Sequence, residues 1–284
     1  MNQLFNSRRF LLLTGLHWNE HRKRYLGWLA AVAGLLMTYF LFVFFMNDRK
    51  PLTEDYQAPT YFVVLFMLGG LYASTLFAPL GDKSKGITWL LLPASQLEKL
   101  LVSLFYGILV FYISYTAVFY LVDIAAVKLT NSMVPELSRY DYNLKQFVTD
   151  RQQAAVSNMF IEHYKKKSEV NVYFIFHMAF LAIQSIFIAG SIWCRRFAFV
   201  KTLLAGLAFG ALYIFFFAKV LDPRMPRGHF TDDFMEYRFE SFLENGKYVA
   251  MPAWLIVSIT VLAKYAVAPL CWILTYIRLK EKQL

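Results

Sequence analysis

Six apolar stretches, each long enough to cross a bilayer, dictate what this chain can fold into. They run from Tyr25 to Met46, Tyr61 to Leu80, Gln96 to about Val122, Val172 to Trp193, Thr202 to Leu221 and Pro252 to Ile277. At 1.5 Å of rise per residue, about 20 helical residues cover a hydrocarbon core of about 30 Å. The expectation is an all-α integral membrane protein with six transmembrane helices. Composition points the same way: 58% of residues are hydrophobic and only 17% charged, where a soluble domain carries about 25% charged residues.

The net charge of +10 could suggest nucleic acid, but on a membrane chain basic residues mark the cytoplasmic side. Arg8, Arg9, Arg22, Lys23 and Arg24 precede the first span. Lys83, Lys85 and Lys99 lie between the second and third, Arg195, Arg196 and Lys201 between the fourth and fifth, and Arg278, Lys280 and Lys282 after the last. Only Glu20, Asp82, Glu98 and Glu281 oppose them in these segments. Both termini are therefore expected in the cytoplasm, and no nucleic acid partner is expected. Two cysteines, Cys194 and Cys271, cannot make a disulfide framework or a zinc cluster.

Residues 1–24 imitate an export signal at Ser7-Arg8-Arg9-Phe10-Leu11 but lack a small-residue cleavage site. Phe5, Arg9, Leu12, Leu13 and Leu16 share one helical face, which predicts an amphipathic helix lying in the inner interface. The transmembrane domain is then residues 25–284. Its outer loops, 123–171 and 222–251, are expected to fold as helices, over about Tyr142 to Lys166 and Asp232 to Glu244.

The most structured connection is 81–100. Ile87 to Leu92, with Trp89 inside it, is apolar but too short to span, so it should lie along the interface. Pro93 stops that segment, having no N–H and disfavouring helix in the residue before it. Ser95 and Glu98 then have capping-box spacing, which starts a new helix at about Gln96. A short helix, a break and a capped helix form a surface on which a cytoplasmic partner can push.

Several residues are candidates for chemistry. His17, Glu20 and His21 match the H-x-x-E-H pattern of some zinc proteases. They lie on the interfacial segment with no third ligand in view, and His, Glu and Trp also suit headgroup contact. Lys264 is deep within the sixth span and shares an i, i+4 line with Thr260, Ala268 and Cys271. A central lysine costs about 2.5–3.5 kcal/mol on insertion scales; it either meets an anionic substrate or is a buried structural lysine. His177 is a further residue for a substrate path or for an interhelical hydrogen bond, as is Gln184. Gly206-x-x-x-Gly210 allows close helix approach, within one subunit or in a dimer. No Walker sequence, G-x-S-x-G elbow or Cys/His cluster occurs, so no catalytic, cofactor or metal site is expected in this chain.

With these features in place, the chain resembles the ABC-2 type permease family, the membrane subunits of one class of ATP-driven exporters. The likeness rests on the segment Phe5 to Arg24, on Leu90-Leu-Leu-Pro-Ala-Ser-Gln-Leu-Glu-Lys99 and on the folded outer segment before the sixth span. The Leu-Pro-Ala-Ser-x-x-Glu-Lys string looks like that of Bacteroidota permeases. The resemblance implies a multi-pass protein of the bacterial inner membrane and a second permease subunit, identical or not. It also implies a cytoplasmic ABC ATPase, holding ATP and Mg, that docks on the loop between spans two and three. Lys83, Lys85, Ile87, Trp89, Leu92, Pro93, Ser95, Glu98 and Lys99 would form that coupling surface. The outer loop 123–171 is longer than the family's usual one, which hints at a periplasmic partner. A non-transport membrane scaffold with a working outer cap is the competing reading, and a membrane-embedded enzyme has no catalytic set to support it.

Overall fold

The computed structural model describes residues 5–141, 146–160, 172–194, 196–216, 228–230, 237–239, 261 and 265–282. Helices dominate: α1 (Ser7–Met46), α2 (Glu54–Thr75), a 3-10 turn (Ala78–Gly81), α3 (Lys83–Leu90), α4 (Gln96–Leu104), a π-helical turn (Phe105–Val110), α5 (Phe111–Met133), α6 (Val172–Trp193), α7 (Ala198–Phe216) and α8 (Val267–Glu281). Among the described residues, four helical stretches are long and apolar enough to cross a membrane: α1, α2, the run from Gln96 to Met133 and α6. The protein is thus helical, with several helices of membrane-spanning length and composition. By contact, the chain divides into one unit of residues 1–69 and 101–161 and a second of 70–100 and 162–284.

In the first unit, α1 starts at Asn6, whose side chain accepts from the Arg8 amide at 3.0 Å. No Pro occurs in this stretch and no Gly between Leu16 and Leu26, so α1 continues unbroken for 40 residues, about 60 Å. The separate interfacial helix over 1–24 is therefore replaced, over its described part, by the N-terminal portion of one helix that includes the first span. The third span likewise outruns its expected end at Val122, extending to Met133 through the π-helical turn. α1 and the α4–α5 run point the same way: Tyr106 donates to the Thr14 carbonyl at 2.9 Å, and farther along both, Phe40 meets Phe119 at 6.0 Å.

Tyr61 of α2 lies in the core of this unit, edge-on to Phe119 at 5.0 Å. Its hydroxyl lies 2.9 Å from Thr116 Oγ1, and its carbonyl accepts from Tyr115 at 2.8 Å. Burying aromatic hydroxyls requires such partners, because each unsatisfied polar group costs about 1–3 kcal/mol.

The described residues of the segment after α5, 134–141 and 146–160, are not helical. β1 (Leu137–Asp141) pairs antiparallel with β2 (Gln146–Asp150), Leu137 opposite Asp150 and Asp141 opposite Gln146. Of the helix expected over Tyr142 to Lys166, residues 146–160 are not helical, because Phe147-Val148-Thr149 favours a pleated strand; residues 142–145 and 161–166 lie outside the described residues. Residues 151–158 continue without helix and are held by two side-chain amides. Gln57 donates to the Ala155 carbonyl at 3.0 Å and accepts from the Ser157 amide at 2.8 Å. Asn131 donates to the Ala154 carbonyl at 2.8 Å and accepts from its amide at 3.0 Å. Tyr120 accepts from the Met159 amide at 3.0 Å.

In the second unit α6 is the hub. α8 runs parallel to it: Trp272 donates to Ser185 Oγ at 2.9 Å, and Lys282 donates to the Ile192 carbonyl at 2.7 Å, near the C-terminal ends of both helices. That ammonium satisfies a last-turn carbonyl and complements the helix dipole. α7 folds back on α6, with Phe187 and Phe199 stacked at 5.2 Å. β3 (Gly228–Phe230) and β4 (Tyr237–Phe239) form a second small hairpin. β4 replaces part of the helix expected over Asp232 to Glu244; the rest of that stretch lies outside the described residues. Where the two expected helices are described, residues 146–150 and 237–239 are strands and 151–160 are neither strand nor helix.

Candidate functional site: a braced elbow between two helices

The connection from the 3-10 turn to α4 is built from local hydrogen bonds. Asp82 caps α3, its carboxylate accepting from the Ser84 amide at 3.2 Å and its carbonyl from the Gly86 amide at 2.8 Å. α3 therefore begins at Lys83, four residues before the apolar run expected to form the segment. The Leu91 amide closes its last turn on the Ile87 carbonyl at 2.9 Å. Pro93 then sits at the centre of a tight turn in which the Ala94 amide reaches the Leu92 carbonyl at 2.7 Å; the ring's fixed φ suits this geometry.

The capping box forms as spaced. Ser95 Oγ accepts from the Glu98 amide at 3.1 Å, and Glu98 Oε2 accepts from the Ser95 amide at 2.8 Å. Glu98 is fully buried and Lys99 is 2% exposed. The Lys99 ammonium lies 5.1 Å from the centre of the Trp89 ring, and Trp89 meets Phe77 edge-on at 6.0 Å. A partly desolvated cation–π contact contributes about 1–2 kcal/mol. Trp89 belongs to α3 and Lys99 to α4, so this contact braces the two helices across the Pro93 break.

The nine residues expected as one coupling surface therefore divide. Trp89, Ser95, Glu98 and Lys99 turn inward and hold the elbow's shape. Ile87 is 60% exposed, Leu91 beside it 76%, Pro93 is exposed and Leu92 is half-buried. Lys83 and Lys85 occupy the first turn of α3. The outward surface is thus α3 and the start of the break. Sequence spacing could not separate these roles, because adjacent residues on a helix diverge by about 100° and only the neighbouring packing decides which one is covered.

The remaining candidates are dispersed. His177, on α6, donates from Nδ1 to the Tyr173 carbonyl one turn earlier at 2.6 Å, which ties that nitrogen to its own helix. Gly206 and Gly210 sit on α7 with nothing within 4 Å of where a Cβ would be, among the described residues. Close approaches occur instead at Gly190, where a Cβ would meet the Thr202 side chain, and at Gly70, where it would meet the Phe187 ring. Lys264 and Thr260 lie outside the described residues.

His17 and His21 join an aromatic ladder. His17 Nε2 is 2.6 Å from the Tyr25 hydroxyl, His21 Nδ1 donates to the His17 carbonyl at 3.0 Å, and Tyr106 packs on His17 at 4.4 Å. Asp123 falls at the expected start of the loop 123–171, where the sequence gives no reason to single it out. It lies on the covered face of α5, fully buried, with neither carboxylate oxygen hydrogen-bonded among the described residues. Its spacing with Phe119, Val127 and Thr130 would have placed it there once α5 was known to continue. No family model, curated protein or solved structure matches this chain.

Proposed function

We propose that this protein is the permease subunit of an ABC-2 type ATP-binding cassette transporter. It moves a lipid, glycan, peptide or drug-like substrate across the bacterial inner membrane, using ATP and Mg held by a separate cytoplasmic ATPase. A second permease subunit completes the assembly. The observation that carries the reading is the braced elbow. α3 and the residue that follows it present Ile87 and Leu91 outward, while the Ser95–Glu98 box and the Trp89–Lys99 contact tie α3 to the start of a long apolar helix. A push on α3 is then passed to that helix instead of being absorbed by a flexible loop.

Helix directions support the same topology. Six alternating spans require the first and third to run parallel, and likewise the fourth and sixth. α1 with α4–α5, and α6 with α8, have those directions. With both termini cytoplasmic, the elbow faces the ATPase and the 137–160 segment faces the periplasm.

Affinity purification of the full chain from its native host in mild detergent tests the proposal. An ATP-binding cassette subunit should co-purify, and should be lost when Ile87 and Leu91 are both replaced by Asp. Recovery of an envelope protein and no ATPase would overturn the reading in favour of a scaffold working through its outer segment.

A further inference from the structure

Where α6 and α8 end together, Trp193, Leu274, Ile277, Arg278 and Glu281 line an open cleft. Its chemistry changes along its length. Leu270, Ile273, Leu274 and Ile277 are all about half exposed and follow the i, i+3, i+4, i+7 spacing of one helix face. This apolar track runs directly into Arg278 and Glu281, one further turn along. Trp193 is 57% exposed at the end of α6, the position of an aromatic belt residue at a membrane–water boundary.

Arg278 donates from one guanidinium N–H to Glu281 Oε2, and the two side chains are 45% and 52% exposed. A guanidinium has five N–H donors and a carboxylate two oxygens, so among the described residues this pair leaves donors and an acceptor unused. The site is therefore a small exposed dipole, with one cation and one anion at the head of an apolar track.

The geometry points to a binding site for a zwitterionic phospholipid of the phosphoethanolamine type. Its phosphate accepts from the outer edge of Arg278, its primary ammonium donates to Glu281, and an acyl chain lies along the Leu270–Ile277 face. Charge-assisted hydrogen bonds at both ends distinguish it from other lipids. A phosphocholine headgroup has no N–H to give Glu281, and a phosphoglycerol headgroup has no cation. This inference rests on the membrane reading alone, so failure to recover an ATPase would leave it standing.

Native mass spectrometry of the full-length protein in detergent, with equal amounts of phosphatidylethanolamine, phosphatidylcholine and phosphatidylglycerol, tests it. Phosphatidylethanolamine should be retained about ten-fold over phosphatidylcholine, the order expected from one charge-assisted hydrogen bond. Glu281→Gln should shrink that preference to about two-fold or less while raising phosphatidylglycerol retention, because Arg278 loses its counter-charge, and Arg278→Gln should lower retention of all three. Equal retention of the three lipids by the unaltered protein would overturn the proposal. Preference for phosphatidylglycerol would overturn it too, reducing the site to a guanidinium that attracts anionic lipid.

Discussion

The Ser95–Glu98 box can be tested against its own energetics. Ser95→Ala removes the acceptor for the Glu98 amide, 3.1 Å away, at a site where Glu98 is fully buried and water cannot easily replace the lost oxygen. Loss of an N-cap costs about 0.5–2 kcal/mol, typically about 1. Glu98→Ala removes a charged acceptor 2.8 Å from the Ser95 amide, worth about 1.5–3 kcal/mol. These values correspond to roughly five-fold and roughly ten-fold or greater increases in local opening, since 1.4 kcal/mol is about a factor of ten. Both are too small to unfold a packed helical protein but large enough to fray one helix start. Hydrogen–deuterium exchange should therefore accelerate by these factors at residues 95–99 and remain unchanged in α6. Glu98→Gln supplies the critical control. Glutamine also serves at this position of a capping box, so it should keep most of the protection that alanine loses. Because the two bonds close one turn, the double substitution should cost less than the sum of the singles. Equal exchange in Glu98→Gln and Glu98→Ala, or no acceleration in either single alanine variant, would refute the reasoning.

Three further expectations follow from packing. Gly190→Val should lower the melting temperature markedly, because a side chain there meets Thr202 and overpacking costs about 1–3 kcal/mol; Gly206→Val should leave the melting temperature of the single subunit unchanged, and the reverse order would contradict the α6–α7 contact. Gln57→Ala or Asn131→Ala should release the 151–159 segment, read as faster limited proteolysis there with the helices intact, since each amide makes a donor–acceptor pair with that backbone. Asp123→Asn, nearly isosteric, should not lower the melting temperature, because neither carboxylate oxygen accepts a hydrogen bond among the described residues and a buried charge without partners stabilises nothing; a fall of several degrees would reveal a partner that depends on the charge.

The elbow shows what the sequence by itself determined. Ser95 and Glu98 are three residues apart, so the chain brings them together in a helical turn whatever lies around it, and Pro93 forbids continuation from its own covalent structure. That several helices have the length and apolarity to cross a bilayer was legible for a similar reason, since both are properties of a segment by itself. Helix continuity was partly legible, since nothing between Arg24 and Tyr25 breaks α1, but an expected change of environment suggested a boundary that hydrogen bonding does not require. Only the tertiary structure decided which neighbours are covered. Trp89 draws Lys99 inward although lysine at a helix start is ordinarily solvated. Among the described residues, Gly190 and Gly70, not the Gly206–Gly210 pair, are closely approached, because Thr202 and Phe187 happen to face them. Gln57 and Asn131 organise the 151–159 segment, about 100 and about 23 residues away along the chain, respectively. β1 and β2 pair where residues 142–145 could have continued a helix. Local hydrogen bonds are set by spacing along the chain, whereas burial and strand pairing depend on partners that spacing does not specify.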